Sequence, residues 1–272
     1  SSDVCSSDLH NRGKTDSYNR VIEGINKVRN YLGADKVSAL MTTSELSINH
    51  PKEIVDNYIL NGFNNIFLRP LNPYGLALNS TNWNIYFDKF FEFYKQALNY
   101  IIDINIKGKF FVEEFTAILL RKILTPFTTG FVDLQSPAGI INSVVVYNYD
   151  GYVYASDESR MLAEYHDYTF RLGHVTDNYE NLFYGDKAQQ IALIWGTEFI
   201  AGCADCAFQS YCGADPVRNH STQNDMYGFR PTSSFCKKHK AIITYLFSLI
   251  QSEHDRVMPI FKQWINRNEN DF

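Results

Sequence analysis

Apolar and polar residues recur at helical spacing over much of the first half of the chain. Residues 17–33 begin with Ser17, a good N-cap residue, carry apolar side chains three and four positions apart, and end at Gly33. Residues 51–62 and 83–105 show the same spacing, and one side of the third segment is unusually aromatic. The pattern therefore predicts three amphipathic helices, the third packed in a core.

Short apolar runs between these helices predict strands. Residues 37–42 and 65–71 indicate buried strands, and alternation of helices and strands is typical of a parallel sheet with ligands at the carboxyl ends of its strands. After about residue 130 the pattern changes. Residues 144–147 and 152–154 flank Asp150-Gly151 and predict a β-hairpin, and residues 187–195, 237–249 and 255–264 predict helices.

Charge and hydropathy narrow the function classes. The 272 residues carry 25 basic and 30 acidic side chains, a formal charge of -5, without the basic cluster that tracks a phosphate backbone, so no nucleic-acid partner is predicted. The apolar run at residues 241–250 is shorter than the roughly 20 residues that span a bilayer. No secretory signal pattern occurs at the start. We expect a globular cytoplasmic protein without a membrane segment, whose thiols stay reduced.

The first nine residues differ abruptly in composition from the rest. They read Ser-Ser-Asp-Val-Cys-Ser-Ser-Asp-Leu, and we interpret them as a translated sequencing adapter joined to a truncated reading frame. The remaining chain is interpreted as two parts, residues 10–130 and residues 131–272.

Four cysteines form the main chemical motif. Cys203, Cys206 and Cys212 follow a C-x2-C-x5-C pattern, and Cys236 comes after 23 further residues. Clustered thiolates are soft ligands that suit zinc or an iron–sulfur cluster, and four of them complete one site. The spacing does not separate these metals, and unliganded or disulfide-bonded cysteines are the third alternative. His220 and His239 flank the motif but are not needed as ligands.

The cysteine segment resembles a known domain. Residues 202–213 (GCADCAFQSYCG), with the later Phe235-Cys236, resemble the SPASM domain of radical S-adenosylmethionine (radical SAM) peptide maturases. The resemblance implies that the four cysteines ligate one auxiliary 4Fe-4S cluster. Relatives usually hold a second, inner auxiliary cluster, but Ser156 and Pro216 stand at two of its ligand positions, so one auxiliary cluster is expected here.

The sequences of other segments resemble one branch of this family. Residues 38–43, 67–71, 132–139 and 147–151 resemble the His-Xaa-Ser system radical SAM maturases, and the likeness spans residue 10 to about residue 260. It implies an α/β fold, with a partial radical SAM barrel at residues 10–130 followed by a SPASM domain with a hairpin and closing helices. Asp157 matches a position at which relatives have a catalytic proton acceptor, while a solvated turn carboxylate is the alternative.

The same resemblance implies a cofactor site. The family's C-x3-C-x2-C motif, which holds the cluster that cleaves S-adenosylmethionine, does not occur in this sequence, so the chain is expected to be an incomplete, inactive fragment of its parent. Positions that would contact S-adenosylmethionine are Lys14, Thr42, Thr43, Arg69 and Leu71.

The function implied for the parent is peptide modification. A 5'-deoxyadenosyl radical abstracts hydrogen from a ribosomally made peptide, here one with His-Xaa-Ser repeats. Its partners would be the precursor peptide, an electron donor such as flavodoxin or ferredoxin, and a possible companion maturase. Two alternatives stay open: a non-catalytic binding module stabilised by zinc, and a maturase of another target such as a sulfatase.

Overall fold

A computed structural model describes residues 18–38, 40–74, 81–192, 194 and 196–266. Lys14 and the nine-residue N-terminal segment lie outside the described residues. Within the described part of the chain, no helix is both long and apolar enough to cross a membrane.

Helices dominate the described residues. They are α1 Tyr18–Leu32, α2 Pro51–Leu60, α3 Trp83–Ile106, α4 Glu114–Leu124, α5 Asp157–Ala163, α6 Tyr179–Tyr184, α7 Asp186–Ala192, α8 Pro216–Gln223, α9 Ser234–Ser252 and α10 His254–Ile265. The strands are short, and they are β1 Asn65–Ile66, β2 Val112–Glu113, β3 Val146–Tyr147, β4 Tyr152–Tyr154 and β5 Arg171–His174.

The chain divides into two compact units. The described residues of the first unit fall in 18–71, 83–125 and 244–266, and those of the second fall in 72–82 and 126–243. The end of α9, from residue 244, and α10 belong to the first unit, and their side chains bond to α3. Arg256 pairs with Asp103 at 2.7 Å, and the Asn99 amide donates to the Tyr245 hydroxyl at 2.7 Å.

Helix α3 is the centre of the first unit. Its aromatic and aliphatic side chains recur at helical spacing and are almost completely buried, as the sequence predicted. They are Tyr86, Phe87, Phe90, Phe93, Tyr94, Ala97, Leu98, Ile101 and Ile102. This stripe packs against α2 and α10 and supports the strands described next.

Three parallel segments lie side by side in the first unit. Strand β1 pairs with β2 through Asn65 and Val112, and isolated parallel bridges join Leu40 to Phe67 and Thr43 to Pro70. The predicted strands at residues 37–42 and 65–71 are therefore present only as a short ladder and bridges. Among the described residues these segments do not close into a barrel.

Glu113 fixes the end of the parallel sheet. Its carboxylate is completely buried and accepts hydrogen bonds from the Leu68 amide at 3.0 Å and from the Thr116 amide at 2.6 Å. It also accepts a bond from the Tyr94 hydroxyl at 3.2 Å. One side chain thus caps α4 and holds the segment that follows β1.

The second unit contains an antiparallel sheet in the order β3-β4-β5. The predicted hairpin is confirmed, with Val146 opposite Tyr154, and its turn contains Gly151 at a φ of 82°. A side chain at Gly151 would meet the His174 ring as well as a strained backbone. Helices α5, α6 and α7 pack against this sheet around a core that includes Val153, Leu162 and Phe170.

Candidate metal centre

The first two cysteines lie in a tight turn of the second unit. The Cys203 amide donates to the Ile200 carbonyl at 2.9 Å, and the Cys206 amide donates to the Cys203 carbonyl at 3.0 Å. Consecutive turns of this kind bring both side chains of a C-x2-C pair to one side.

Cys212 and Cys236 come from separate elements of the same unit. Cys212 follows the short 3₁₀ turn Gln209–Tyr211, and its amide donates to the Gln209 carbonyl at 3.2 Å. Cys236 lies in the first turn of α9, where its amide donates to the Ser233 hydroxyl at 3.1 Å. Helix packing thus positions the distant fourth cysteine.

All four cysteines line one cavity. The cavity is partly open to solvent. None of these four cysteines forms a disulfide in the structure, which therefore does not support the disulfide alternative. Further lining residues are Thr197, Phe208, Gln209, Arg230, Phe235 and His239. The spacing motif is therefore also a spatial cluster.

The electrostatic surroundings of the thiols are mixed. Burial raises the pKa of the Cys203 thiol, while the nearby Arg230 guanidinium acts in the opposite direction. Burial also raises the pKa values of Cys212 and Cys236, and Lys240 opposes this for Cys236. Thiolates in this cavity thus require compensating positive charge, from the protein or from a bound metal.

The two histidines near the motif have different surroundings. His220 bonds to the Asp167 carboxylate at 2.7 Å and does not line the cavity. His239 lines the cavity and is completely buried, with Nδ1 donating to the Phe235 carbonyl at 2.8 Å. Burial lowers the pKa of His239 well below its ordinary value, so the ring is neutral.

Three of the predicted cofactor-binding residues meet in the first unit. The Thr43 amide donates to the Arg69 carbonyl at 2.7 Å. The Tyr86 hydroxyl donates to the Thr43 carbonyl at 2.6 Å and accepts from the Leu71 amide at 2.7 Å. The neighbouring parallel segments therefore end together, where ligands of α/β proteins commonly bind.

The side chains at this edge differ in exposure. Thr42 is exposed, whereas Thr43 is completely buried and its hydroxyl has no hydrogen-bond partner among the described residues. An orphaned hydroxyl of this kind is suited to a ligand atom. Lys14, another residue predicted to contact S-adenosylmethionine, lies outside the described residues.

Asp157 lies at the start of α5 in the second unit. Ser156 caps this helix, its side chain accepting from the Ser159 amide at 3.2 Å. The Asp157 carboxylate is exposed and forms an ion pair with Arg160, whose Nε lies 3.0 Å from Oδ1. An exposed carboxylate can accept a proton, and its catalytic role stays a prediction.

Comparison with known proteins identifies the fold. No protein-family model matches the chain, and no curated protein matches it. Solved structures of anSMEcpe, a radical SAM/SPASM enzyme, do match. The histidine-tagged protein with bound AdoMet (S-adenosylmethionine) has a TM-score of 0.71 at 16% identity, over 94% of this chain and 64% of that chain.

The chain has the fold of anSMEcpe. Native anSMEcpe with AdoMet matches with a TM-score of 0.69, and its complex with AdoMet and the Kp18Cys peptide matches with 0.64, each at 16% identity over 91% of this chain and 65% of that chain. This chain thus spans less than two thirds of the length of anSMEcpe. The described residues have a mixed α/β fold that resembles the corresponding part of anSMEcpe.

Carboxylates near Asp157 form a cluster that the sequence pattern did not indicate. Burial and Asp133 raise the pKa of Asp215 to about 6, against the opposing charge of Arg218. Burial and Asp133 also raise the pKa of Glu158. These residues are far apart in the sequence, and only the acidic run that contains Glu158 could have drawn attention to any of them.

Proposed function

We propose that this chain is part of a radical SAM peptide maturase and that Cys203, Cys206, Cys212 and Cys236 hold one auxiliary 4Fe-4S cluster. The observation that carries the proposal is that the four cysteines line one cavity. The anSMEcpe-like fold supports the enzyme class. Within this proposal residues 10–130 are the partial barrel and residues 131–272 are the SPASM domain.

Four thiolates suit either a zinc ion or an iron–sulfur cluster. The resemblance of the cysteine segment to the SPASM domain favours the cluster, and the anSMEcpe-like fold supports this choice.

The edge of the parallel sheet is the proposed S-adenosylmethionine site. Thr43 contributes an orphaned buried hydroxyl, and Arg69 and Leu71 lie on the neighbouring segment. We include Thr42 and Lys14 from the sequence prediction. S-adenosylmethionine would supply radical hydrogen abstraction when bound, while the protein would orient it and exclude water.

The proposed substrate is a ribosomally made peptide with His-Xaa-Ser repeats. The sequence resemblance supports this choice, and the exposed Asp157 is the proposed proton acceptor. A second candidate is a sulfatase-type peptide, favoured by the fold shared with anSMEcpe, which was solved with the Kp18Cys peptide. At 16% identity that likeness does not carry substrate preference to this chain.

Metal content tests the proposed cluster. The protein is purified or reconstituted without oxygen, and its iron, sulfide, zinc and visible spectrum are measured. We expect about four irons and four sulfides per chain, with absorption near roughly 400 nm. A colourless protein with one zinc per chain would establish the zinc-stabilised module instead.

Peptide modification by the complete parent enzyme tests the substrate. The parent is supplied with S-adenosylmethionine, a reductant, and either a His-Xaa-Ser repeat peptide or a Cys-containing sulfatase peptide. We expect a mass change only in the repeat peptide. Modification of the sulfatase peptide alone would select the second candidate.

A further inference from the structure

Arg230 is a buried cation in the cysteine cavity. Its side chain is 2% exposed, and it begins the short 3₁₀ turn Arg230–Thr232. Nη1 donates at 2.9 Å to the carbonyl of Gly213, the residue directly after Cys212. The guanidinium also lies 5.6 Å from the centre of the Phe235 ring. Arg230 is thus fixed between the cysteine loop and the start of α9.

The remaining guanidinium nitrogens have no protein acceptor. Nε and Nη2 are buried and lack hydrogen-bond partners among the described residues. An uncompensated buried charge costs several kcal/mol. Arg230 lines the same cavity as the four cysteines, so the sulfurs are the groups of opposite charge that the guanidinium meets when the thiols are ionised.

We propose that Arg230 is the internal counter-charge of the auxiliary cluster and raises its reduction potential. This inference rests on the proposed cluster. Four thiolates give a cluster net negative charge, and reduction adds one more negative charge. A buried cation beside the sulfurs therefore stabilises the reduced state more than the oxidised state. The two unpaired nitrogens are placed to donate hydrogen bonds to sulfur.

Lys240 provides a matched control. It lines the same cavity and carries the same charge, but its side chain is exposed. Solvent screens an exposed charge much more strongly than a buried one. Removal of the Lys240 charge should therefore change the potential much less than removal of the Arg230 charge.

The test is a redox titration of the reconstituted chain, in which bleaching of the visible absorption reports reduction of the cluster. It compares wild type with Arg230→Gln, Arg230→Lys and Lys240→Gln. At the wild-type midpoint, we expect the reduced-to-oxidised ratio of Arg230→Gln to be at least about tenfold lower, a shift of about 59 mV for one electron. Arg230→Lys should stay near wild type, as should Lys240→Gln.

The outcomes separate the two proposals. Wild-type protein without iron and sulfide would overturn the cluster and, with it, this role of Arg230. A normal cluster with an unchanged potential in Arg230→Gln would overturn only the role of Arg230. If Arg230→Gln does not fold, Arg230→Lys decides: retention of the cluster and its potential supports the charge, and loss of the cluster overturns it.

Discussion

The hydroxyl of Tyr86 lies 2.6 Å from the backbone oxygen of Thr43, to which it donates a hydrogen bond. The same hydroxyl accepts a 2.7 Å bond from the Leu71 amide. Tyr86 projects from the buried face of α3 and is 1% exposed. One phenol from the central helix therefore holds the ends of two neighbouring parallel segments together, at the proposed cofactor edge.

Substitution Tyr86→Phe should loosen this edge. It leaves the buried Thr43 carbonyl and the partly buried Leu71 amide without their partner, which typically costs about 1–3 kcal/mol in free energy of unfolding. Urea unfolding followed by circular dichroism measures this change. The control is Tyr100→Phe on the same helix, because the Tyr100 hydroxyl bonds to Asp56 at an exposed position. Equal losses in both variants would contradict the special role of Tyr86.

Glu113 should make stability fall as pH rises above its ordinary titration range. Burial raises the pKa of Glu113 from 4.5 to about 6, despite hydrogen bonds from Thr116, Leu68 and Phe115 that act in the opposite direction. The folded state thus binds the proton more tightly than the unfolded state. The stabilisation is complete below about pH 4.5 and is lost as pH rises through about 6, a loss of about 2 kcal/mol.

The measurement for Glu113 compares urea unfolding at several pH values between 4.5 and 7. Glu113→Gln should remove this contribution, so that its unfolding free energy falls less with pH than that of wild type. Glu92→Gln is the control, since Glu92 is an exposed residue of α3. If wild type and Glu113→Gln show the same pH dependence, protonation of Glu113 is not linked to folding.

Replacement of Cys206 by Ala should abolish the auxiliary cluster. A 4Fe-4S core held by three thiolates lacks one iron ligand, and the C-x2-C turn loses half of its pair. We expect iron and sulfide to fall from about four per chain to well below one, with reduced resistance of the second unit to proteolysis. Cys5→Ala is the control because it removes a cysteine outside the motif. Full iron content in Cys206→Ala would refute the ligand assignment.

Asp157→Asn in the complete parent should slow peptide modification by at least about 100-fold, the lower end of the range for loss of a general base. Cleavage of S-adenosylmethionine should remain detectable, because the carboxylate is proposed to act on the substrate. The control is Arg160→Gln, which removes the ion-pair partner of Asp157 and keeps its carboxylate. Unchanged peptide turnover in Asp157→Asn would remove this residue from the mechanism.

The long elements were predictable from the sequence, and the short ones were not. Helix α3 carries several turns of buried aromatic residues, so its periodicity is unambiguous. Strand β2 has two residues and runs directly into α4, with Glu113 as both strand residue and helix cap. A two-residue strand is too short to show the alternation of apolar and polar residues by which strands are recognised in a sequence. Its position depends on pairing with β1, a contact between residues distant in sequence.

Some residues of the candidate site could likewise be predicted from the sequence, and others could not. The cysteine motif was recognisable in the sequence because the two members of a C-x2-C pair are only a few positions apart. Arg230 was not visible, because one arginine before a proline in a loop resembles any surface turn. Its burial arises from Gly213 and Phe235, which approach it only in the folded chain. The closing helices were predicted, but the membership of residues 244–266 in the first unit depends on long-range pairs such as Arg256 with Asp103.

Because Cys236 lies in the first turn of α9, a cofactor at the proposed site would connect this helix to the cysteine loop that precedes it in the sequence. The 23 residues between Cys212 and Cys236 include α8 and the turn with Arg230, and a cofactor bound to all four sulfurs would close them into a ring. Ring closure removes conformational freedom from the unfolded chain. Protein made during iron shortage would therefore be open to proteases along this segment, so iron supply would govern how long the protein survives.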